Sequence, residues 1–350
     1  MYKNARKGIN MIKVSIVGIT GYSGLELLKL LHFHPKVELV KICATSNIGK
    51  KLSDVYAQFE GLSNLTIEEF NAQEIMNSSE CVFFATSAGV TSKIALELIE
   101  HDFPVIDLSG DFRLKEEQIY EKWYKNTTTK NEYLSKSDYV LADLNQPISK
   151  YIANPGCYAT ATLLALAPLV QNNLVKFDSI VVDAKSGLSG AGKSLTDSSH
   201  FVNVQENMTM YKIDGHQHIP EIVQQAQIWN ENFGAIQFQT SLIPVTRGIF
   251  VAMYAKLSDS VTFDDIKSAY HALYDDKAFV RIRRQMPSLK DVAHTNFCDI
   301  GMNFNEETGF LTVVSVIDNL IKGAAGQAVQ NFNHLFEFDE KTGLQFLPEI

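Results

Sequence analysis

Residues 12–24 read IKVSIVGITGYSG and run straight into LELLKLLHFH (25–34), which stops before Pro35. That order is a short β-branched strand, a glycine turn and a helix with apolar residues at helical spacing. A second apolar run at 37–44 completes a βαβ unit, whose crossover must be right-handed if the two strands share a sheet. Further strand-like runs at 81–85 and 104–108 alternate with a helical stretch at 91–100. The first half of the chain is therefore predicted to be α/β, a Rossmann-type doubly wound parallel sheet.

After Pro155 the pattern changes. A helix is expected at 158–171, then strands at 179–184, 237–243, 249–257 and 312–317 among polar loops, as in an α+β domain with a mostly antiparallel sheet. A glycine-rich segment, 322–327, opens a last helix at 328–336. We therefore expect a dinucleotide-binding domain of residues 11–153 joined by the C-terminal helix region 320–350, and a catalytic and oligomerisation domain of residues 154–319. A chain of 350 residues, 45% of them hydrophobic, has the material for two such cores.

The net charge of −9 argues against nucleic acid or an anionic membrane as partner, because both require a basic face. An anionic small molecule must then meet positive charge placed locally. The longest apolar run, 159–170, contains Pro168 and falls short of the roughly twenty residues that span a bilayer. Residues 1–13 have the basic flavour of a signal peptide, but Lys13 interrupts the apolar stretch, and Met11 is an alternative start. Cys43, Cys81, Cys157 and Cys298 show no paired spacing, which fits reduced thiols and a cytoplasmic location.

Three segments carry chemistry. The turn Gly18-Ile-Thr-Gly21-Tyr-Ser-Gly24 is a GxxGxxG variant of the dinucleotide fingerprint, in which glycines admit a pyrophosphate to the backbone at a helix N-terminus. Its bland reading is a turn without ligand; the strand-to-helix context favours the cofactor. No acidic residue follows Ala44 to hold a ribose 2′-hydroxyl. Thr45, Ser46, Lys50 and Lys51 stand there instead, which favours a 2′-phosphate and hence NADP(H) over NAD(H). Cys157, in NPGCYAT (154–160), lies where a turn opens a helix, and the dipole and free amides there lower a thiol's pKa. The other three cysteines sit in apolar strand-like runs and read as buried and inert. His216 and His218, in GHQHIPE (215–221), offer an acid/base for that thiol. With Glu221 they also resemble part of a metal site, a reading that lacks a third confident ligand, so no metal is expected. Residues 187–194 match GxxxxGK[ST], but the following TDSSHFVNVQEN lacks the apolar face that a P-loop helix buries.

These segments, with DLSGDFRL (107–114), DAKSGLSGAGKS (183–194), IPVTRGI (243–249) and NLIKGAAGQAVQN (319–331), make the chain similar over nearly its whole length to the arginine-pathway branch of the semialdehyde dehydrogenase family, the N-acetyl-γ-glutamyl-phosphate reductases. Departures are small: Gly110 stands where the family usually has alanine, Ala159 where it often has proline, and LADLNQ (141–146) where a YGLPE-like segment is common. The resemblance implies NADPH-dependent reduction of an acyl phosphate through a thioester on Cys157, with one of His216 and His218 handling a proton. It implies Arg113, Asn154, Lys185, Ser186, Lys193, Glu221 and Arg247 near the substrate. It also implies Gly18, Thr20, Gly21, Tyr22, Ser23, Gly24, Ser46, Lys50, Ser87, Gly190 and Asn319 near the cofactor, and a homo-oligomer, dimer or tetramer. The rival readings are a sister enzyme acting on aspartyl phosphate, a nucleotide-sensing regulator that has lost catalysis, and a P-loop ATPase.

Overall fold

The computed structural model describes residues 11–347. The expectation about the basic start therefore falls largely on residues 1–10, outside the described residues, as do residues 348–350 of the expected C-terminal region. Two compact units divide the described residues: 11–121, 125–154 and 325–345 form the first, and 122–124, 155–324 and 346–347 the second.

Strands buried on both faces need apolar residues at nearly every position, which in the first sheet CVFF (81–84) and YIA (151–153) satisfy and the more outlying VELVKIC (37–43) and SDY (137–139) do not. Its members are β1 (Ile12–Val17), β2 (Val37–Cys43), β3 (Ile67–Glu68), β4 (Cys81–Phe84), β5 (Val105–Asp107), β6 (Ser137–Tyr139) and β7 (Tyr151–Ala153). All pair in parallel, in the order β3-β2-β1-β4-β5-β7-β6, so the doubly wound sheet expected from the sequence is present. The helices between them are α1 (Tyr22–Phe33), α2 (Leu52–Val55), α3 (Ala72–Ser78), α4 (Thr91–Ile94), α5 (Leu96–Glu100), α6 (Glu117–Tyr124) and α7 (Asn131–Leu134). Where one helix was expected at 91–100, the chain breaks at Ala95, whose ψ of −5° opens the turn. The break lets Ala95, Leu98 and Ile99 reach one apolar cluster with Val82, Phe84 and Val105.

The second unit opens with α8 (Cys157–Gln171), buried from Tyr158 to Val170. A helix apolar on all sides belongs inside a core. Pro168 lies within it and has no N–H to give to the carbonyl of Leu164, one turn back. The hydroxyl of Tyr274 donates to that carbonyl at 2.6 Å, and Tyr270 does the same for Ala165. α10 (His218–Trp229) and α11 (Phe263–Tyr274) pack on α8, while the short α9 (Phe201–Val204) lies in a largely exposed segment. The second sheet comprises β8 (Val181–Ser186), β9 (Thr209–Tyr211), β10 (Gln237–Leu242), β11 (Ile249–Lys256), β12 (Val280–Ile282), β13 (Cys298–Asn305) and β14 (Phe310–Ile317). Its order is β12-β13-β14-β11-β8-β10-β9. Only β12–β13 and β10–β8 pair in parallel, so the sheet is mostly antiparallel, as expected.

The chain then passes through a π-helical turn at Ile321–Ala325 into α12 (Gly326–Leu335), starting earlier than the helix expected at 328. α12 packs on α1 in the first unit, where Asn333 meets His34 at 2.9 Å.

Candidate active site

The glycine turn of the first unit is built for close approach. Gly18 adopts φ of +92°, and a Cβ there would collide with the carbonyl of Ala85. A Cβ on Gly24 would collide with the carbonyl of Gly18. Gly21 caps α1 in an extended conformation with no side-chain hydrogen bond, which leaves the first-turn amides to a ligand. These features fit a dinucleotide pyrophosphate. Thr20 gives its carbonyl to the Tyr56 hydroxyl at 3.0 Å, fixing the turn from outside. Ser46, Lys50 and Ser87 are exposed, and Tyr22 is 40% exposed.

The same unit holds Arg113 and Asn154. Arg113 is buried and donates through Nε to the Asn154 carbonyl (2.8 Å) and through Nη2 to that of Leu108 (2.7 Å). Asn154 accepts through Oδ1 from Asn331 at 3.0 Å. Asp111, to which the sequence reading gave no role, accepts the N–H groups of Gly89 (2.7 Å) and Ser92 (2.9 Å) and the hydroxyl of Tyr120 (2.6 Å). It thereby holds the loop that carries Ser87.

In the second unit Cys157 is the first residue of α8, behind the cap Gly156, and it is partly exposed. Cys43, Cys81 and Cys298 are buried in β2, β4 and β13. Burial pushes the Cys43 thiol up to about 11 and that of Cys81 higher still. Glu221, expected near the substrate, is fully buried in α10, and its Oε1 accepts the N–H of Gly156 at 2.8 Å. One oxygen of this carboxylate thus fixes the residue before the thiol.

Beside it His218 opens α10, and its backbone N–H donates to Nδ1 of His216 at 3.1 Å. The two rings lie 4.7 Å apart. With Nδ1 accepting, the proton of neutral His216 sits on Nε2. Burial, aided by the Lys212 charge, pushes His216 down to about 3, so its ring stays neutral through the physiological range. Tyr158 lies 5.2 Å from the His216 ring and receives the Tyr211 hydroxyl at 3.1 Å. Burial and the neighbouring Cys157 charge raise both tyrosines, Tyr211 to about 12.

A second group gathers around β8. Lys185 pairs with Asp183, and Ser186 is buried with its Oγ donating to the Gly187 carbonyl at 2.9 Å. The loop after Gly187 is stitched to the segment around Arg247: Leu188 and Ser189 donate their N–H groups to Val245 (2.9 Å) and Thr246 (3.0 Å). Asn319, expected at the cofactor, is buried and spends its amide on Ser189 Oγ (3.0 Å) and the Gly248 N–H (2.7 Å). A Cβ on Gly190 would strike Ser186 Oγ at 2.7 Å. Arg247 reaches His294 Nδ1 through Nη1 at 2.7 Å and Asp318 through Nε at 3.3 Å. Lys193 is exposed, and only a one-turn 3₁₀ helix and the four-residue α9 follow Ser194. The P-loop reading requires a buried helix there and fails.

Sequence reasoning missed Tyr211, Gly323 and Asp318. A Cβ on Gly323 would lie 2.7 Å from that of Cys157. The glycine was visible in LIKGAAG, but nothing local announces that it faces a thiol so distant in sequence. Among the described residues no group of three or more His, Cys, Asp or Glu side chains is arranged to hold a metal, and no helix is long and apolar enough to cross a membrane.

Comparison with known proteins bears on both units. A family model described as "Semialdehyde dehydrogenase, NAD binding domain" matches residues 13–153, and one described as "Semialdehyde dehydrogenase, dimerisation domain" matches residues 157–319. The chain is 65% identical to a Lactococcus lactis protein named N-acetyl-gamma-glutamyl-phosphate reductase, over 97% of this chain and 100% of that one. It is 55% identical to a protein of the same name from Streptococcus thermophilus, over 96% and 99%. Among solved structures, aspartate semialdehyde dehydrogenase II of Vibrio cholerae complexed with ASA superposes with a TM-score of 0.69 at 19% identity, over 93% of this chain and 98% of that one. The Candida albicans aspartate semialdehyde dehydrogenase with NADP gives 0.68 at 16% identity, over 93% and 98%. At such identity these structures speak to the fold alone. With two family models spanning most of its length and relatives so similar end to end, the chain belongs to the semialdehyde dehydrogenase family, with a nicotinamide-dinucleotide-binding domain in its first half.

Proposed function

We propose that this chain reduces N-acetyl-γ-glutamyl phosphate to N-acetylglutamate 5-semialdehyde and phosphate with NADPH, a step of arginine biosynthesis. The observation that carries the reading is Cys157 at the start of α8, followed by Tyr158 whose ring packs against the buried His216 and His218, in a chain 65% identical to a relative named for this reaction. The first-turn amides of α8 favour the thiolate. Its sulfur attacks the acyl phosphate carbon and expels phosphate, leaving a thioester on Sγ. The dinucleotide, held by Gly18, Gly21 and Gly24 with Ser46 and Lys50 toward the 2′-phosphate, is the source of hydride when bound. After reduction the thiohemiacetal on Cys157 collapses, freeing the aldehyde and restoring the thiolate.

His218 handles the proton on the substrate oxygen, because an acid/base works best near the operating pH and His216 is held far below it. His216 offers a neutral Nε2–H instead. Lys185, Ser186 and Arg247 supply local positive charge and a hydroxyl for the substrate's carboxylate and phosphate, as a chain of net charge −9 requires. The protein works as a homo-oligomer, dimer or tetramer. This is supported by the family description of residues 157–319 and by Leu195, Phe201, Val202, Met208 and Ile213, large apolar side chains exposed close together in sequence in that domain.

The test is NADP⁺- and phosphate-dependent oxidation of N-acetylglutamate semialdehyde, run beside aspartate semialdehyde. Turnover of the first and not the second is expected. The opposite preference would transfer the assignment to the aspartyl phosphate enzyme, and no turnover of either would remove it.

A further inference from the structure

Asp318 lies outside every role assigned so far, yet three separate parts of the second unit are tied to it. It is fully buried at the end of β14. Its Oδ2 accepts the backbone N–H of His294 at 2.8 Å and faces Arg247 Nε at 3.3 Å. Its Oδ1 accepts the N–H groups of Leu320 (2.9 Å) and Ile321 (3.1 Å). Its backbone carbonyl accepts the N–H of Gly323 at 2.9 Å, an i−5 bond that widens the chain into the π-helical turn. On that turn a Cβ at Gly323 would stand 2.7 Å from the Cβ and 3.1 Å from the Cα of Cys157, and 3.2 Å from Ile317 Cδ1. The atoms it would meet on Cys157 belong to the first turn of α8 and cannot swing aside as a side-chain tip does.

We propose that Asp318 is a positioning residue for two parts of the site at once: through the π-turn it seats bare Gly323 against Cys157, and through Oδ2 it aims the guanidinium of Arg247. The α8 start is then held on one side by Glu221 at Gly156 and on the other by Gly323. The guanidinium meets His294 Nδ1 through Nη1 and lies within ion-pair range of the Asp318 carboxylate, 3.3 Å from Nε. The proposal rests on Cys157 as nucleophile and Arg247 as substrate ligand, as argued above.

The two arms separate by experiment on the full-length protein, scored by kcat and KM with N-acetyl-γ-glutamyl phosphate and by the rate of Cys157 alkylation with iodoacetamide in the absence of substrate. Gly323→Ala displaces the thiol: kcat and alkylation rate are expected to fall about tenfold or more while KM stays within about threefold. Asp318→Asn keeps an oxygen for Leu320 and Ile321 and turns an NH₂ toward Arg247 and His294. KM is expected to rise about tenfold or more with alkylation nearly unchanged. Should Asp318→Asn fail to fold, His294→Gly replaces it: His294 has φ of +61°, which glycine accepts, and loss of the ring releases Nη1, so KM is again expected to rise. Gly323→Ala with normal kcat and alkylation, or an Asp318→Asn or His294→Gly protein with normal KM, overturns the proposal. So does a fall of kcat and a rise of KM together in every variant, which is what general loosening would give. The alkylation arm needs no substrate, so its failure is distinct from failure of the substrate assignment.

Discussion

Cys157 and the three other thiols differ by what surrounds the sulfur. Cys43 sits in a strand where burial opposes the anion, whereas Cys157 begins a fifteen-residue helix whose amides favour it. Iodoacetamide at neutral pH is expected to label Cys157 ahead of Cys43, Cys81 and Cys298, read by peptide mass spectrometry. Cys157→Ser hardly changes volume, so it is expected to fold and bind NADPH while kcat falls by about 10³-fold or more. Of the histidines, His218→Asn is expected to lose about 10²–10⁴ in kcat and His216→Asn distinctly less, measured under saturating substrate. His216 has a further signature. Its folded pKa of about 3 lies below the ordinary imidazole value of 6.5, so between those pH values the unfolded chain binds a proton that the native ring refuses. Stability from this group is complete above 6.5 and is lost as pH falls. The drop in melting temperature from pH 7 to pH 5 is therefore expected to be smaller in His216→Asn than in the unmodified protein.

At the level of elements, the strand, turn and helix of residues 12–34 are legible because every residue's preference agrees with its place. Glycines stand where a Cβ would collide, and Leu27, Leu28, Leu30 and Leu31 form the buried side of α1. Gly18→Ala is expected to destabilise the first unit by about 1–3 kcal/mol and to abolish NADPH binding, as followed by melting and by nucleotide fluorescence. Lys50→Glu, on an exposed side chain past β2, is expected to leave stability unchanged and to erode the preference for NADPH over NADH. What stayed illegible is set by distant partners. β3 has two residues and β9 is an exposed edge, so neither shows a periodic pattern. The break at Ala95 serves a cluster drawn from several strands. The π-turn follows from the hydrogen bonds of Asp318, and the bond between Glu221 and Gly156 joins residues 65 apart in sequence with no local signal.

For the whole molecule, the net charge of −9 means that an anionic substrate is met by cations placed locally, such as Lys185 on β8 and Arg247. Its exposed apolar segment between Leu195 and Ile213 is the part of the surface expected to be covered by another copy. Phe201→Asp with Val202→Asp is expected to lower the mass seen by analytical ultracentrifugation by at least one subunit, without unfolding the chain. The thioester on Cys157 is the step on which the rest depends. Intact-protein and peptide mass spectrometry of the chain mixed with N-acetyl-γ-glutamyl phosphate, with NADPH withheld, tests it directly. One N-acetylglutamyl group per chain is expected, located on the Cys157 peptide, absent in Cys157→Ser and discharged when NADPH is added. An unmodified chain that nevertheless turns over when NADPH is present, or an acyl group on another residue, would contradict covalent catalysis by Cys157.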